Sequence, residues 1–564
     1  MTNSTITNSV LRLPLPAVFI GLILFVLLGL TSCGDSGTQT SEQLQSSESA
    51  AGANVVEPVA DMSPIATTQY GDVRGFTEDG INVFKGIRYG ADTAATRFQP
   101  PGTPESWSGV QDALVYGNST RQIPTGTGGG LFTSWRGNPA PELSEDCLFL
   151  NVWTPGVRDG EKRPVLVWFH GGGFSSGSGS SLVYDGVRLA NRGDVVIVTV
   201  NHRLNYFGYM YLAEYGDQFA DSGNAGMLDL VQSLEWVRDN ISEFGGDPGN
   251  VLIFGESGGG FKVSNLMAMD DAKGLFHRAV VQSGPTIESA TTQDAAKATA
   301  AVIEKLGLTR QTIDQILSMP AEDIELAARS VARELNLSPG RGPVVDGRAL
   351  KRHPFLSDAP PHSIDVPLLI GTTRTENSLL IGARNPDLFD LTWEALPDAL
   401  MPYIDDLDVM KIISTYRGLH PEIDAAELFF TATTDARFLN RSIEMADKKS
   451  AQSGANTWFY MLNWDTPVDG GKWLVPHASE IGMVFDNVAK SESMSGTGKE
   501  PQRIADLMSE AWIAFARVGN PNHDGLPDWP AFNSGTRATM IFDLEPKVID
   551  DPHGIQRRLF LDSE

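Results

Sequence analysis

A pentapeptide in the middle of the chain places the strongest constraint on the fold. The residues Gly255-Glu256-Ser257-Gly258-Gly259 follow directly on the apolar run Val251-Leu252-Ile253-Phe254. A short apolar run of this kind predicts a buried strand, and the small residues after it predict a sharp turn into a helix. Glycine suits such a turn because larger neighbours would block the approach to the residue at its apex. The pattern predicts that Ser257 stands at the apex as a nucleophile.

Short continuous apolar runs elsewhere predict further strands that are buried on both faces. They cover residues 165–169, 195–200, 279–282 and 368–370. Before residue 251, Leu230, Leu234, Val237 and Ile241 are spaced like one face of a helix. The order strand, helix, strand implies a parallel crossover.

Three earlier runs complete the predicted sheet. They cover residues 66–69, 73–76 and 81–85, are punctuated by Gly71 and Gly80, and predict antiparallel strands that enter a mixed sheet. The expected fold class is therefore α/β, with a large, mostly parallel central sheet flanked by helices.

The first 64 residues are expected to lie outside the folded domain. An apolar stretch from Ala17 to Leu30 follows Arg12 and suits the core of a signal peptide better than a membrane span. The tetrapeptide Leu30-Thr31-Ser32-Cys33 resembles the bacterial lipobox, which implies a signal peptide of residues 1–32 and lipidation of Cys33. Residues 33–64 are rich in Ser, Gln, Glu, Ala and Gly and predict a disordered tether before a domain of residues 65–564.

This N-terminus predicts a location in the bacterial cell envelope. Gly34 rather than Asp follows Cys33, which by resemblance to bacterial lipoproteins favours anchoring in the outer membrane. An uncleaved anchor helix and a plain secretory signal, with a periplasmic or secreted protein, are the alternatives.

Composition excludes some partners. The 43 basic and 70 acidic residues give a net charge of −27 (43 minus 70), which argues against binding of nucleic-acid phosphates. The two cysteines, Cys33 and Cys147, provide no disulfide framework. Because Cys147 begins an apolar run, it is expected to be a buried structural thiol.

A nucleophilic serine needs donors for a developing oxyanion and a general base. His170-Gly171-Gly172-Gly173-Phe174 follows a predicted strand, and its backbone N–H groups can serve as donors together with that of Gly258. The base should be a histidine beyond Ser257, held by a carboxylate. Spacing alone does not choose among the candidates, which are His353, His362, His420, His477, His523 and His553.

Several separated segments together resemble the type-B carboxylesterase and cholinesterase family of α/β-hydrolases. The segments cover residues 145–153, 170–174, 184–186, 201–204, 226–229, 244–248, 254–259 and 282–284. Two later segments resemble those that carry the acid and the histidine of the family's triad, at residues 369–377 and 477–485. The resemblance implies a catalytic triad of Ser257, Glu376 and His477 and an oxyanion hole of Gly172, Gly173 and Gly258.

The implied activity is hydrolysis of small-molecule carboxylic esters through an acyl-enzyme. The resemblance implies neither a cofactor nor a metal, and it leaves the oligomeric state open. Among the departures of the chain from the family, Gly258 replaces the alanine that is common after the serine, and a looser turn is expected.

Two alternatives within the family stay open. A cholinesterase-like enzyme for cationic esters would use Trp135, which resembles a cation-binding tryptophan, although a packing aromatic is the favoured interpretation. Residues 337–342 lack the aromatics of a tight acetyl pocket, so a permissive acyl site is expected.

A non-catalytic cholinesterase-like binding protein is disfavoured because the triad residues are all present. A penicillin-binding type of acylase would require Ser-x-x-Lys, whereas Lys262 comes five residues after Ser257.

Overall fold

The computed structural model describes residues 63–122, 130–137, 141–336, 342–404 and 407–560. The expected signal peptide, the tether and Cys33 lie outside these residues, so the boundaries at 32 and 64 stay predictions. Among the residues described, no helix has both the length and the apolar character needed to cross a membrane.

The strands are numbered in chain order over the described residues. They are β1 Ile65–Thr68, β2 Gly71–Arg74, β3 Phe76–Glu78, β4 Ile81–Arg88, β5 Val110–Asp112, β6 Ser119–Thr120, β7 Leu143–Ser144, β8 Phe149–Thr154, β9 Arg163–Phe169, β10 Val196–Val200, β11 Gly246–Glu256, β12 Arg278–Gln282, β13 Ala290–Thr291, β14 Val344–Val345, β15 Leu368–Thr373, β16 Thr457–Leu462, β17 Ala538–Phe542 and β18 Lys547–Asp550.

The α-helices are numbered in the same way. They are α1 Val187–Gly193, α2 Asn205–Tyr209, α3 Ala225–Asn240, α4 Gly258–Leu266, α5 Thr292–Lys305, α6 Ala321–Glu334, α7 Glu376–Leu380, α8 Leu396–Leu400, α9 Val409–Leu419, α10 Ala425–Thr434, α11 Asn440–Ser450, α12 Ile481–Val484, α13 Glu492–Ser495, α14 Lys499–Val518 and α15 Gly554–Leu559.

One large mixed sheet organises the described part of the chain. Its strand order is β18-β17-β16-β15-β12-β11-β9-β10-β8-β4-β3. The strands from β10 through β9, β11, β12, β15 and β16 to β17 pair in parallel, whereas the pairs at the two edges are antiparallel. This arrangement confirms the predicted α/β class, and α3 between β10 and β11 is the predicted crossover helix.

The N-terminal strands differ from the prediction. β2 lies between β1 and β5 in a separate three-stranded sheet, and only β3 and β4 join the large one. The turn at Gly71 is covered by Trp107, whose indole N–H donates to Asp72 O at 2.9 Å. A side chain at Gly71 would collide with that ring, since a Cβ there would lie 2.4 Å from Trp107 Nε1. The sequence shows the strands but not this change of partner, which depends on a segment more than thirty residues away.

The core lies on both faces of the large sheet. Along β9, Val165, Val167 and Phe169 belong to one buried cluster, and the alternate residues Leu166 and Trp168 belong to another. Side chains of successive strand residues point to opposite faces, so a strand that is covered on both faces is apolar throughout. This explains why the parallel strands appear in the sequence as uninterrupted apolar runs.

Candidate active site

Ser257 occupies a strained turn between β11 and α4. It follows the last residue of β11 and precedes the first residue of α4, with φ 55° and ψ −121°. A positive φ is unfavourable for any residue with a side chain, and strain of this kind is concentrated at functional sites. Gly259 is required beside it because a Cβ there would lie 2.0 Å from Phe169 O in β9. The strand-turn-helix predicted around Ser257 is thus present, and the serine side chain is half-buried.

Glu376 and His477 meet in the interior, 101 residues apart in the chain. Glu376 begins α7, just after β15, and His477 lies in the segment that follows β16. His477 Nδ1 is 2.5 Å from Glu376 Oε2, and both side chains are buried. The other oxygen, Glu376 Oε1, accepts hydrogen bonds from the Thr373 N–H at 2.8 Å and the Ser283 hydroxyl at 2.6 Å. The carboxylate is therefore held in one orientation and in turn orients the imidazole.

The second nitrogen of His477 faces another carboxylate. His477 Nε2 lies 3.0 Å from Glu256 Oε1. In the described part of the chain, the Ser257 hydroxyl makes no hydrogen bond. Burial alone lowers the pKa of His477, but Glu256 and Glu376 outweigh burial and raise the pKa well above its ordinary value.

A third glutamate completes a buried acidic cluster with Glu256 and Glu376. Burial, together with those two side chains, raises the pKa of Glu480 to about 8. Burial likewise raises the pKa of Glu256, while the adjacent His477 opposes that rise. Like charges so close together cannot all ionise, so Glu480 is expected to stay protonated at neutral pH.

The other candidate histidines have different partners. His362 and His553 lie 3.5 and 3.0 Å from Asp270 and Asp435, respectively. The rings of His353, His420 and His523 contact Ser289 N, Gln556 Nε2 and Leu507 O. Among the six candidates, His477 is the one that the described structure places against Glu376.

The glycine loop after β9 lies directly against the turn that carries Ser257. Gly172 and Gly173 have φ values of 84° and 62°, which favour residues without a side chain. A Cβ on Gly258 would lie 2.2 Å from Gly173 O. Among the described residues, no protein acceptor takes the N–H groups of Gly172, Gly173 or Gly258. These donors thus remain available to a ligand.

The remaining candidate residues have simpler environments. Trp135 is buried, packs edge-on against Phe132 at 4.8 Å, and donates its indole N–H to Ser491 Oγ at 3.1 Å, which favours the packing interpretation. Cys147 is a buried free thiol whose pKa burial raises to about 12, as expected for a structural cysteine. Residues 337–341 of the proposed acyl pocket lie outside the described residues.

Comparison with known proteins identifies the family. The model of the carboxylesterase family matches residues 62–558. The chain belongs to the carboxylesterase family. It is 36% identical over 508 residues to the para-nitrobenzyl esterase of Bacillus subtilis, a match that covers 89% of this chain and 99% of that protein. It is 31% identical over 494 residues to the phenmedipham hydrolase of Pseudarthrobacter oxydans, covering 85% and 94% of the two chains.

The solved structures agree with the family assignment. A carboxylesterase of Geobacillus stearothermophilus superposes with a TM-score of 0.76 and 36% identity, over 88% of this chain and 99% of that one. This carboxylesterase therefore has the α/β-hydrolase fold, and it is a carboxylic ester hydrolase.

Some residues around the triad candidates were not predicted from the sequence. Glu256 and Glu480 lie in segments that resemble the family, but no local pattern indicates that Glu256 faces His477 or that Glu480 joins the acidic cluster. Ser283 likewise belongs to a family segment without a predicted role. The spacing of Lys262 from Ser257 indicates no role for it, yet its side chain is buried against the glycine loop.

Proposed function

We propose that this carboxylesterase hydrolyses carboxylic esters through an acyl-enzyme formed on Ser257. His477 acts as the general base and Glu376 as the acid that orients it. The backbone N–H groups of Gly172, Gly173 and Gly258 form the oxyanion hole. The observation that carries the proposal is the buried 2.5 Å contact between His477 Nδ1 and Glu376 Oε2. It lies at the carboxyl ends of the parallel strands, where the strained turn after β11 carries Ser257.

The reaction would proceed in two stages. His477 takes the Ser257 proton as the hydroxyl oxygen attacks the ester carbonyl carbon, and the carbonyl oxygen becomes an oxyanion. The protonated His477 then gives its proton to the departing alcohol as the carbon–oxygen bond breaks. In the second stage water attacks the acyl-enzyme by the same sequence, which releases the acid and restores Ser257.

His477 Nε2 must be able to accept the Ser257 proton, yet in the structure it lies beside Glu256. We therefore expect it to exchange between Glu256 and the Ser257 hydroxyl during turnover. The negative charge of Glu256 would stabilise the imidazolium that forms in each stage.

The test compares two serine variants of the full chain. Ser257→Ala is expected to lower kcat for a p-nitrophenyl ester at least about 10⁴-fold and to abolish covalent labelling by an organophosphate. Ser264→Ala is the matched control, because Ser264 is a buried α4 serine whose hydroxyl donates to Gly260 O. Near-normal turnover or labelling in folded Ser257→Ala would contradict the assignment.

Small neutral esters are the proposed substrates. The indole N–H of Trp135 already has a protein acceptor and its ring is packed, which supports a site without selectivity for cations. A panel that pairs choline esters with matched neutral esters tests this. Strong preference for the choline esters would favour the cholinesterase-like alternative instead.

We also propose lipid anchoring at Cys33, in the bacterial envelope and at its outer membrane. The support is the lipobox-like tetrapeptide and the polar stretch after it. Metabolic labelling with an alkyne fatty acid should mark the wild-type chain and not Cys33→Ser, which should move to the aqueous fraction. Equal labelling of both proteins would contradict the proposal.

A further inference from the structure

Lys262 lies in the interior of the protein beside the glycine loop. Its side chain is fully buried in α4, one turn after Ser257. The ammonium Nζ donates to His170 O at 2.8 Å and to Gly173 O at 2.9 Å. A buried charge is unfavourable unless it is paired and hydrogen-bonded. The two carbonyl oxygens meet this requirement for Nζ.

The two carbonyls flank the peptide units that matter for the oxyanion. The N–H groups of Gly172 and Gly173 lie between His170 O and Gly173 O along the chain. The two carbonyls in between are also fixed, because Gly171 O accepts from the His170 ring at 2.9 Å and Gly172 O accepts from the Ser176 N–H at 3.2 Å. With every carbonyl of residues 170–173 bonded inside the protein, the peptide planes cannot rotate freely.

Gly258, at the start of α4, also packs against the Gly173 peptide to which Lys262 donates. Without a side chain at 258, the Gly173 backbone approaches so closely that an added Cβ would lie 2.2 Å from Gly173 O and 2.4 Å from Gly173 N. The loop would have to shift to admit an alanine at position 258. Gly258 and Lys262 therefore act on one atom group, the Gly173 peptide.

We propose that Lys262 is a positioning residue of ester hydrolysis, which clamps the two ends of the glycine loop to α4 so that the Gly172 and Gly173 N–H groups face the oxyanion. The inference rests on the proposed function, because it assumes that those N–H groups bind the oxyanion formed by attack of Ser257. It extends that function by assigning the geometry of the hole to a side chain that never touches the ester.

The clamp does not depend on the charge of Lys262, because a neutral amine and an ammonium can each donate to both His170 O and Gly173 O. Burial lowers its pKa to about 7, and the carboxyl group of Glu256 opposes that decrease. Burial and then Lys262 lower the pKa of His170 to about 3, so the ring that contacts Gly171 O is neutral. The ring of Phe174, 5.6 Å from Nζ, covers the clamp.

The test uses an inhibitor that forms an oxyanion and one that does not. In the full chain, Lys262→Met keeps an unbranched apolar stem but removes the donor. We expect kcat to fall about tenfold to a hundredfold with a much smaller change in KM. The inhibition constant of a trifluoromethyl ketone, which adds covalently to the serine, should rise by a similar factor. That of the matching methyl ketone should stay unchanged.

Lys449→Met is the matched control. Lys449 is also fully buried, donates to a backbone carbonyl, Ile364 O at 3.4 Å, and has a pKa that burial lowers to about 8. A purely structural effect of losing a buried ammonium would appear in both melting temperatures but not in the ratio of the two ketone constants. If the ratio of the trifluoromethyl ketone inhibition constant to the methyl ketone inhibition constant in Lys262→Met equalled that of the wild type, the inference would be overturned. If that variant does not accumulate, Lys262→Leu carries the same comparison with the same outcomes.

Failure of the proposed function would look different. If Ser257→Ala retained turnover and trifluoromethyl ketone affinity, the nucleophile assignment itself would be wrong. If Ser257→Ala were inactive while Lys262→Met kept the wild-type ketone ratio, only the positioning role would be lost.

A double-mutant cycle examines the coupling between the two positions. Gly258→Ala should reduce kcat by displacing Gly173, and it should reduce kcat less in Lys262→Met, where the Gly173 carbonyl is no longer held. Coupling of more than about twofold between the two changes supports the clamp, whereas effects that multiply within about twofold contradict it.

Discussion

Two sets of buried ionisable side chains in this carboxylesterase differ in how completely they are hydrogen-bonded: the Arg203–Asp229 pair and the cluster around His477. Arg203 and Asp229 form a closed pair, in which two guanidinium nitrogens reach the carboxylate at 2.6 and 2.9 Å and a third donates to Gln99 O at 2.7 Å. The Arg203 N–H also donates to Asp229 Oδ2 at 2.9 Å. This pair joins the loop after β10 to α3. Because its charges are hydrogen-bonded to each other and to the backbone, both side chains are expected to stay ionised.

The cluster around His477 is incomplete by comparison. Two carboxyl groups lie within 3.0 Å of one imidazole, and the third, that of Glu480, lies 3.5 Å from the Ser283 hydroxyl and has one oxygen, Oε2, without a hydrogen-bond partner among the described residues. Protonation within the cluster is therefore shared and easily changed, whereas the Arg203 pair keeps its charges fixed. The closed pair joins two parts of the fold, and the proposed proton transfer concerns the cluster at His477 alone.

Removing the charge that orients His477 should have the largest effect. Glu376→Gln preserves the size of the side chain, but its amide favours the wrong imidazole tautomer. We expect kcat to fall about 10⁴-fold with little change in melting temperature. Steady-state kinetics with a p-nitrophenyl ester and a thermal unfolding curve check this prediction; a large loss of stability with near-normal kcat would reverse the comparison.

Breaking the closed pair should affect stability instead. Arg203→Met leaves Asp229 buried without its partner and should lower the free energy of unfolding by about 3 to 5 kcal/mol. Urea unfolding measures the loss, and kcat per folded molecule should stay close to that of the wild type. The double variant Arg203→Met/Asp229→Leu is the control, since it also removes the stranded charge and should recover part of the stability.

The pH profile should separate Glu256 from Glu376. A general base works only when it is deprotonated, so kcat/KM should rise with pH through the raised pKa of His477. Glu256→Gln removes a negative charge 3.0 Å from Nε2, lowers that pKa and should move the acidic limb to lower pH by about one to three units. An unchanged acidic limb in kcat/KM would show that Glu256 does not control the protonation of His477.

The smallest effect is expected from Ser283, a hydroxyl donor to the cluster. Ser283→Ala removes the 2.6 Å hydrogen bond to Glu376 Oε1 but leaves the Thr373 N–H in place. Loss of one hydrogen bond to a charged group, worth about 1.5 kcal/mol, should lower kcat about tenfold. A decrease as large as that of Glu376→Gln would mean that Ser283, and not the backbone, holds the carboxylate.

Much of the fold was predictable because its signals are local. The apolar runs that become β9, β10, β11, β12 and β15 are uninterrupted in the sequence, since each strand is covered on both faces. The pairing of β2 with β5 was not predictable, because it joins segments that are more than thirty residues apart in the chain.

The site divides in the same way. Ser257 and the glycine loop were recognisable because turn chemistry is written in neighbouring residues. The choice of His477 among six histidines required resemblance to a family, since its distance to Glu376 is set by two separate strands.

The sequence by itself determined the parallel strands, the strained turn at Ser257 and the glycines whose N–H groups stay free, because each of these depends on residues a few positions apart. Only the tertiary structure decided that Glu256 faces His477 and that Lys262 holds Gly173. Those contacts form where the carboxyl ends of parallel strands meet, and the order of strands in the sheet, which no local pattern specifies, brings these ends together.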